Sequence, residues 1–279
     1  MSPLSPLPPL PPLSPAAVVT ALRSAGCVFA EDEAELILAT ARDPEELATM
    51  VDRRVAGLPL EHVVGWAEFS GLRVTVEPGV FVPRRRTEFL VEQALAEAPE
   101  AAVVVDLCCG SGAVGAALAA ALGRAELHAA DIDPAAVRCA RGNIAPYGGH
   151  VHEGDLFAAL PGDLRGRVGI LAANVPYVPT GDVGLLPAEA REHEPLVALD
   201  GGPDGLDVLR RVAAAAPDWL APGGCLLVET SAHQSPAAVE AFARAGLTTR
   251  LAVSEELYAH VVIGVHTGHG PTPVPAPAR

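Results

Sequence analysis

Short apolar runs alternate along most of the chain with segments of helical periodicity. Residues 102–105 form a β-branched apolar run, which is typical of a parallel strand covered on both faces. Residues 113–121 follow as a helix of small residues. The strand pattern recurs at residues 126–131, from 150 onward, at 168–173 and at 225–230, and two closing strands are expected within 247–265. This alternation predicts an α/β fold built on a mostly parallel sheet.

The pattern changes toward both ends of the chain. Residues 14–60 show helical spacing, with Ser14 and Asp43 placed as helix caps, each followed by a proline. Short β-type runs around Pro78 and Gly79 then predict a hairpin. The expected parts are a disordered proline-rich tail (1–13), a small helical domain (14–62), a hairpin linker (63–86), the main α/β domain (87–266) and a second disordered tail (267–279).

The first predicted strand runs into a glycine-rich turn, Cys108-Cys109-Gly110-Ser111-Gly112. Its two glycines permit positive φ angles and a close approach of a ligand to the backbone. The next strand ends in Asp131, which is placed to accept both hydroxyls of a ribose, while Asp133 is placed to cap the following helix. The turn differs from the G-x-G-x-x-G of dinucleotide sites, which argues against a bound pyrophosphate and favours S-adenosylmethionine.

The third and fourth strands also end in residues that can contact a ligand. Asp155 and Leu156 follow the third strand, where they either lie over an adenine or form a simple turn. The fourth strand ends in Asn174-Val175-Pro176-Tyr177, at the edge where open α/β sheets bind ligands. The asparagine oxygen and the valine carbonyl can each accept one N–H of an amide or aryl amine, while the proline fixes the turn and the tyrosine packs the planar group. A plain Asn-x-Pro turn is the alternative interpretation.

Composition narrows the possible partners. The 279 residues are half hydrophobic, carry a formal net charge of −15 and include no lysine. Bulk nucleic-acid binding is disfavoured, because it needs clustered cations. The local basic groups are Arg53-Arg54, interpreted as a solvated helix edge, and Arg84-Arg85-Arg86. No segment predicts a signal peptide or a membrane span, and the five cysteines and nine histidines show no metal-ligand spacing, so we expect a cytoplasmic protein without a metal.

The order of these motifs resembles the HemK-type protein glutamine methyltransferases, class I S-adenosylmethionine enzymes that methylate the Gly-Gly-Gln glutamine of peptide chain release factors. The resemblance covers residues 14–266. Residues 83–88 are similar to the family's P-R-P-x-T-E segment, residues 106–112 to its D-x-G-x-G-x-G loop and residues 174–177 to its N-P-P-Y motif. Residues 194–206 resemble E-P-x-x-A-L-x-G-G-x-D-G-L, and residues 222–229 resemble P-G-G followed by L-x-x-E.

The resemblance implies a Rossmann-like seven-stranded sheet with an antiparallel last strand, preceded by a small helical domain that docks the substrate. It implies that S-adenosylmethionine is bound by Cys108, Cys109, Gly110, Ser111, Gly112, Asp131, Asp155, Leu156 and Asn174. It also implies that Asn174, Val175, Pro176 and Tyr177 bind the substrate, with Asn174, Pro176 and Tyr177 as the catalytic residues. The expected partner is a release factor, and we expect a monomer without stable nucleic-acid binding or membrane attachment.

Three departures from the family pattern stand out. Cys108 replaces the first glycine of the loop, Val175 replaces the first proline of N-P-P-Y, and Arg85 and Arg86 replace a proline and an acidic or polar residue. The arginines are expected to act on substrate choice, for instance toward an acidic surface. Two alternatives stay open: an adenine-amino methyltransferase of DNA or RNA, which uses the same chemistry on an aryl amine, and a non-catalytic cofactor-binding factor, against which the presence of Asn174 argues.

Overall fold

The computed structural model describes residues 13–268, so the predicted tails at 1–13 and 267–279 lie almost entirely outside the described residues. The chain divides into two compact units, one ending at Gly65 and the other beginning at Trp66. Within residues 13–268, none of the helices combines the length and the apolar character needed to cross a membrane.

The described part of the first unit is helical. Its helices are α1 (Pro15–Ser24), α2 (Ala30–Thr40), α3 (Pro44–Val55) and α4 (Leu60–Val64). Ser14 Oγ accepts the N–H of Ala17 at 3.3 Å and Asp43 Oδ1 accepts the N–H of Glu46 at 2.8 Å, so both residues cap helices as predicted. The apolar faces of these helices bury a small core of their own, in which side chains such as Ile37 are fully enclosed.

The predicted solvated edge at Arg53-Arg54 is wrong for the second arginine. Arg54 is 8% exposed and donates from Nε to Glu33 Oε2 at 2.6 Å. Its Nη1 donates to the carbonyl of Leu58 at 2.9 Å. Arg54 is therefore an internal link between α3 and α2, because a carboxylate on α2 neutralises the guanidinium inside the unit.

The second unit opens with a hairpin made of β1 (Trp66–Phe69) and β2 (Leu72–Thr75), which pair antiparallel. Its turn lies at Ser70 and Gly71, whose φ angles are 49° and 73°. The prediction that centred the hairpin on Pro78 and Gly79 is wrong. A two-residue turn with both φ angles positive matches the right-handed twist of the strands, and only one of its positions carries glycine here.

Seven strands form one sheet, namely β3 (Val103–Leu107), β4 (Glu126–Asp131), β5 (His150–Glu153), β6 (Val168–Ala173), β7 (Leu220–Thr230), β8 (Thr248–Ser254) and β9 (Ala259–Val265). The strand order is β5-β4-β3-β6-β7-β9-β8. β9 runs antiparallel to β7 and β8, while the four pairings from β5 to β7 are parallel. The prediction of a mostly parallel sheet with an antiparallel last strand is confirmed.

Helices cover both faces of this sheet, namely α5 (Glu88–Glu97), α6 (Ala113–Leu122), α7 (Pro134–Ile144), α10 (Asp207–Ala215) and α11 (Ser235–Arg244). Two short helices, α8 (Ala188–His193) and α9 (Leu196–Leu199), lie between β6 and α10 in the chain. One core contains Leu90 and Leu118 from α5 and α6, and the other contains Leu209 and Phe242 from α10 and α11. Because both faces are covered, a ligand has access to the sheet at the ends of its strands.

Candidate active site

Strand register brings the predicted site residues to one edge of the sheet. Leu107 in β3 pairs with Ala130 in β4 and with Ala173 in β6, and Ala173 pairs with Val228 in β7. The residues that follow these four positions are Cys108, Asp131, Asn174 and Glu229. They stand in adjacent strands at the carboxyl edge, where open α/β sheets bind ligands.

The glycine loop folds back onto the neighbouring strand. Cys109 donates its N–H to the Ala130 carbonyl at 3.1 Å, and Gly110 donates its N–H to Asp131 Oδ2 at 2.8 Å. Gly112 donates to the Cys109 carbonyl at 2.7 Å and so closes a tight turn. These three N–H groups are therefore used inside the protein and are not available to a ligand.

Cys108 occupies a backbone position that suits glycine. Its φ angle is 55°, in the left-handed region, which costs an L-residue about 1–2 kcal/mol. Burial raises the pKa of the Cys108 and Cys109 thiols, which keeps both neutral. Cys109 and Ser111 are buried, so any ligand contact at these two predicted positions falls to the backbone.

The Asp131 carboxylate holds the glycine loop and can still accept further hydrogen bonds. Its Oδ1 accepts the N–H of Asp133 at 2.9 Å, and its Oδ2 accepts the N–H of Gly110. Burial raises its pKa, while these N–H groups act in the opposite direction. Each carboxylate oxygen retains a lone pair for a further donor, such as a ribose hydroxyl. Asp133 Oδ1 accepts the N–H of Ala135 at 2.8 Å and caps α7, as predicted.

Asp155, which follows β5, is paired with an arginine. Its Oδ2 accepts from Nη2 of Arg211 in α10 at 2.6 Å, an ion pair that the sequence pattern did not reveal. Leu156 is half-buried, with a φ angle of 49°. The carboxylate that was predicted to contact an adenine is therefore held by an arginine, with its Oδ1 still available as an acceptor.

The side-chain amide of Asn174 lies at the carboxyl edge of the sheet, and only one of its two ends has a hydrogen-bond partner among the described residues. Its Nδ2 lies 3.4 Å from Thr87 Oγ1. Its Oδ1 is buried and has no hydrogen-bond partner among the described residues. A buried acceptor left without a donor costs about 1–3 kcal/mol, so such an atom marks a place where a bound group supplies the missing hydrogen bond. Val175 and Pro176 next to it are buried.

Glu229 connects several of these groups. It is 2% exposed and accepts from Arg86 Nε at 2.8 Å and from the Thr87 hydroxyl at 2.6 Å. Arg86 also donates to the Tyr177 hydroxyl, and its guanidinium lies 5.9 Å from the centroid of that ring. Burial, together with the charge of Glu229, raises the pKa of Tyr177, so its phenol stays protonated.

The backbone after Asn174 is clamped from the opposite side. Gln234 Nε2 donates to the Tyr177 carbonyl at 2.8 Å and to the Asp204 carbonyl at 3.0 Å. Gly205 packs so closely there that an added Cβ would lie 2.2 Å from the Tyr177 carbonyl oxygen. The turn that carries Tyr177 is therefore held rigidly by residues far along the chain.

Two arginines of the triplet are paired with buried carboxylates. Arg84 Nη2 lies 2.7 and 2.6 Å from the two oxygens of Glu194, which is 6% exposed. Arg86 is paired with Glu229. Arg85 is exposed, and its side chain has no hydrogen bond or ion pair within residues 13–268. An effect of the triplet on substrate choice is thus an expectation that now falls on Arg85.

Sequence reasoning missed the supporting residues Thr87, Glu194, Arg211, Glu229 and Gln234. Thr87, Glu194 and Glu229 lie in segments that resemble family motifs but to which no role is assigned from the sequence. Their contacts join distant positions, since Thr87 and Glu229 are 142 residues apart. No local periodicity can reveal such a pair; only the fold does.

Comparison with known proteins agrees with this geometry. The family model described as "Methyltransferase small domain" matches residues 71–176. A release factor glutamine methyltransferase of Geobacter sulfurreducens is 43% identical over 209 residues, which are 73% of this chain and 72% of that protein. One from Mycolicibacterium smegmatis is 40% identical over 232 residues, which are 81% of this chain and 82% of that protein.

The chain is also similar to an amino-acid methyltransferase and to a solved methyltransferase structure. A 4-amino-L-phenylalanine/4-methylamino-L-phenylalanine methyltransferase of Streptomyces pristinaespiralis is 38% identical over 191 residues, which are 66% of this chain and 65% of that protein. The crystal structure of a methyltransferase from Pyrococcus furiosus has a TM-score of 0.52 at 16% identity and covers 70% of this chain and 89% of that chain. The prediction of a class I, S-adenosylmethionine-dependent methyltransferase is confirmed. The chain belongs to the release factor glutamine methyltransferase family.

Proposed function

We propose that this protein transfers a methyl group from S-adenosylmethionine to the side-chain amide nitrogen of a protein glutamine, namely the Gly-Gly-Gln glutamine of a peptide chain release factor. The observation that carries the proposal is the buried, unpartnered Oδ1 of Asn174 beside the glycine loop. The family to which the chain belongs supports the choice of substrate.

The residues around the glycine loop suit the cofactor. The loop backbone at 108–112 and the Asp131 carboxylate are assigned to its ribose and amino-acid parts, and Asp155 and Leu156 to its adenine. When bound, S-adenosylmethionine supplies an electrophilic methyl group on a sulfonium, and the transfer leaves a neutral thioether. The Cys109 and Gly110 N–H groups hold the loop against Ala130 and Asp131.

An amide nitrogen is a poor nucleophile because its lone pair is delocalised into the carbonyl group. Asn174 Oδ1 and the Val175 carbonyl each accept one N–H of the substrate amide, which holds the NH2 group and aims its lone pair. Buried Pro176 fixes the turn, and the Tyr177 ring packs on the planar amide. The amide nitrogen loses its proton to solvent as the N–CH3 bond forms, so no charged side-chain base is needed.

The test is mass spectrometry of a purified release factor after incubation with the protein and S-adenosylmethionine. The wild-type protein is expected to add one methyl group to the Gly-Gly-Gln glutamine, and Asn174→Ala is expected to abolish the transfer while its calorimetric affinity for the cofactor stays near the wild-type value. Undiminished turnover by Asn174→Ala would remove this residue from the mechanism.

A second candidate is methylation of an aryl amine on a free amino acid. The relative that carries 4-amino-L-phenylalanine in its name motivates it, because an aryl amine also presents a planar NH2 group with a delocalised lone pair. Exposed Arg85 offers a partner for a free carboxylate. Incubation with 4-amino-L-phenylalanine in place of the release factor separates the two: transfer only to the free amino acid would replace the first candidate.

The helical part at residues 14–62 is proposed to dock the release factor, and the protein is proposed to act as a monomer in the cytoplasm, where release factors work. Stable binding to nucleic acid, as expected of the adenine-amino alternative, is disfavoured by the net charge of −15.

A further inference from the structure

We propose that Thr87 and Glu229 are positioning residues that fix which end of the Asn174 side-chain amide faces the substrate. The proposal rests on the proposed function and deepens it. It starts from Glu229, a carboxylate at the carboxyl edge of β7 that is 2% exposed and does not itself reach the substrate amide in the proposed mechanism.

Glu229 determines where the Thr87 proton points. An ionised carboxylate only accepts hydrogen bonds. Its Oε1 accepts from Arg86 Nε at 2.8 Å, which supplies a cationic partner, and its Oε2 accepts from the Thr87 hydroxyl at 2.6 Å. Thr87 is 2% exposed, so its single hydroxyl proton is committed to Glu229.

Thr87 in turn determines the orientation of Asn174. Because its proton is used, Oγ1 can only accept a hydrogen bond from Asn174, and Nδ2 at 3.4 Å is the donor. Rotating the amide by half a turn would bring Oδ1 against Oγ1, which places two acceptors face to face. The directed contacts from Glu229 through Thr87 therefore leave Oδ1 on the other side, buried and without a partner among the described residues.

This orientation matters for the reaction. The substrate NH2 group donates, so it needs an acceptor at the position of Oδ1. The reversed amide would present its own NH2 there and would leave donor against donor. Without the Thr87 hydroxyl, the two orientations of Asn174 approach each other in energy, and the reactive geometry is populated less. We therefore expect a loss in kcat and no change in cofactor affinity.

The first experiment compares Thr87→Val, Thr87→Ser and Thr230→Val in steady-state kinetics with the release factor. Thr87→Val keeps the shape and removes the hydroxyl, and it is expected to lower kcat by about 10²-fold, the scale of a misplaced reacting group. Thr87→Ser keeps the hydroxyl and is expected to retain most of the activity. Thr230 is the matched control, because its buried hydroxyl, next to Glu229 in the chain, has no partner in the described structure.

A second variant guards against a folding defect in Thr87→Val. Glu229→Gln preserves the volume and replaces one acceptor oxygen by a donor, which reverses the direction of the contact with Thr87. It is expected to lower kcat in the same way while calorimetry shows an unchanged cofactor affinity. Equal losses in Thr87→Ser and Thr87→Val, or a wild-type kcat in both Thr87→Val and Glu229→Gln, would overturn the proposal.

A spectroscopic readout keeps the inference separate from the proposed function. The chain contains two asparagines, Asn143 and Asn174, so protein labelled with 15N at asparagine gives two side-chain NH2 signals. Asn143 Nδ2 donates to the Ser111 carbonyl at 2.8 Å and serves as the internal reference. Thr87→Val is expected to shift or broaden the Asn174 signal only. Absence of methylation by the wild-type protein would refute the proposed function, whereas an unchanged Asn174 signal in Thr87→Val would refute the positioning role.

Discussion

At the scale of one residue, the buried carboxyl group of Asp106 makes the free energy of unfolding depend on pH. It is 1% exposed, and its Oδ2 accepts the N–H of Gly115 at 2.8 Å. Burial raises its pKa from 3.8 to about 7, the Gly115 N–H opposes the shift, and the charge of Asp131 adds to it. The folded chain thus binds this proton more tightly than the unfolded chain. The resulting stabilisation is complete below pH 3.8 and is lost as the pH rises through about 7.

The variant Asp106→Asn tests this dependence. The amide does not titrate in this range, and its oxygen still accepts the N–H of Gly115. We expect the free energy of unfolding of the wild-type protein, relative to that of the variant, to fall as the pH rises from 3.8 to about 7, by an amount on the order of a few kcal/mol. Denaturant unfolding at a series of pH values measures it, and parallel pH profiles of the two proteins would show that Asp106 is not the cause.

Asp131 and Asp133 provide a matched pair for the cofactor assignment. Asp131→Ala removes the carboxylate proposed for the ribose together with its contact to Gly110, and it is expected to weaken S-adenosylmethionine binding by about 10- to 100-fold. Asp133→Ala removes the cap of α7. It is expected to lower the free energy of unfolding by about 1 kcal/mol without weakening the binding of S-adenosylmethionine. Calorimetric titration of both variants decides it: an Asp131→Ala affinity equal to that of Asp133→Ala would refute the ribose assignment.

At the scale of elements, the turn after β6 depends on a close approach from the segment before α10. Gly205 has a φ angle of 74°, and an added Cβ would lie 2.2 Å from the Tyr177 carbonyl oxygen and 2.3 Å from Gln234 Nε2. Gly205→Ala is therefore expected to displace Tyr177 and to lower both activity and stability, the latter by about 3 kcal/mol, as strain and overpacking add together.

Gly223→Ala is the control for this prediction. Gly223 has a φ angle of 82°, but nothing lies within 4 Å of the Cβ position. The Gly223→Ala variant therefore has a backbone strain of about 1 kcal/mol without a steric clash, and it is expected to keep its methyl-transfer activity. Thermal unfolding and methyl-transfer rates of the two variants measure the difference, and equal effects would mean that the contact with Tyr177 is unimportant.

The same scale explains what the sequence revealed and what it did not. β3, the glycine loop and the residues ending β4 and β6 were predictable, because apolar runs, glycines and caps act over a few residues. The hairpin turn was misplaced, since Ser70 gives a weak signal for a positive φ angle while Pro78-Gly79 gives a strong one. The Thr87–Glu229 contact could not be predicted, because it depends on how α5, which begins just after Thr87, packs against β7.

At the scale of the whole molecule, several arginines of the local basic groups and the candidate site are paired with carboxylates. Arg54 pairs with Glu33, Arg84 with Glu194, Arg86 with Glu229 and Arg211 with Asp155. The local basic groups found in the sequence therefore do not add up to a basic surface. Together with a net charge of −15, this pairing leaves little with which to neutralise a phosphate backbone.

Salt dependence of binding tests that conclusion and the adenine-amino alternative together. A protein that neutralises several phosphates loses affinity steeply as salt rises, with a log–log slope of about −0.9 for each phosphate on duplex DNA. We expect no measurable binding of fluorescent single- and double-stranded oligonucleotides at low salt, either by the wild-type protein or by Arg85→Ala, which removes an exposed cation that has no ion-pair partner within residues 13–268. Tight binding with a steep slope, weakened in Arg85→Ala, would instead identify Arg85 as a phosphate contact. Nucleic acid would then have to be considered as the substrate, because an acidic protein gains such a slope only by placing its few free cations on the polyanion.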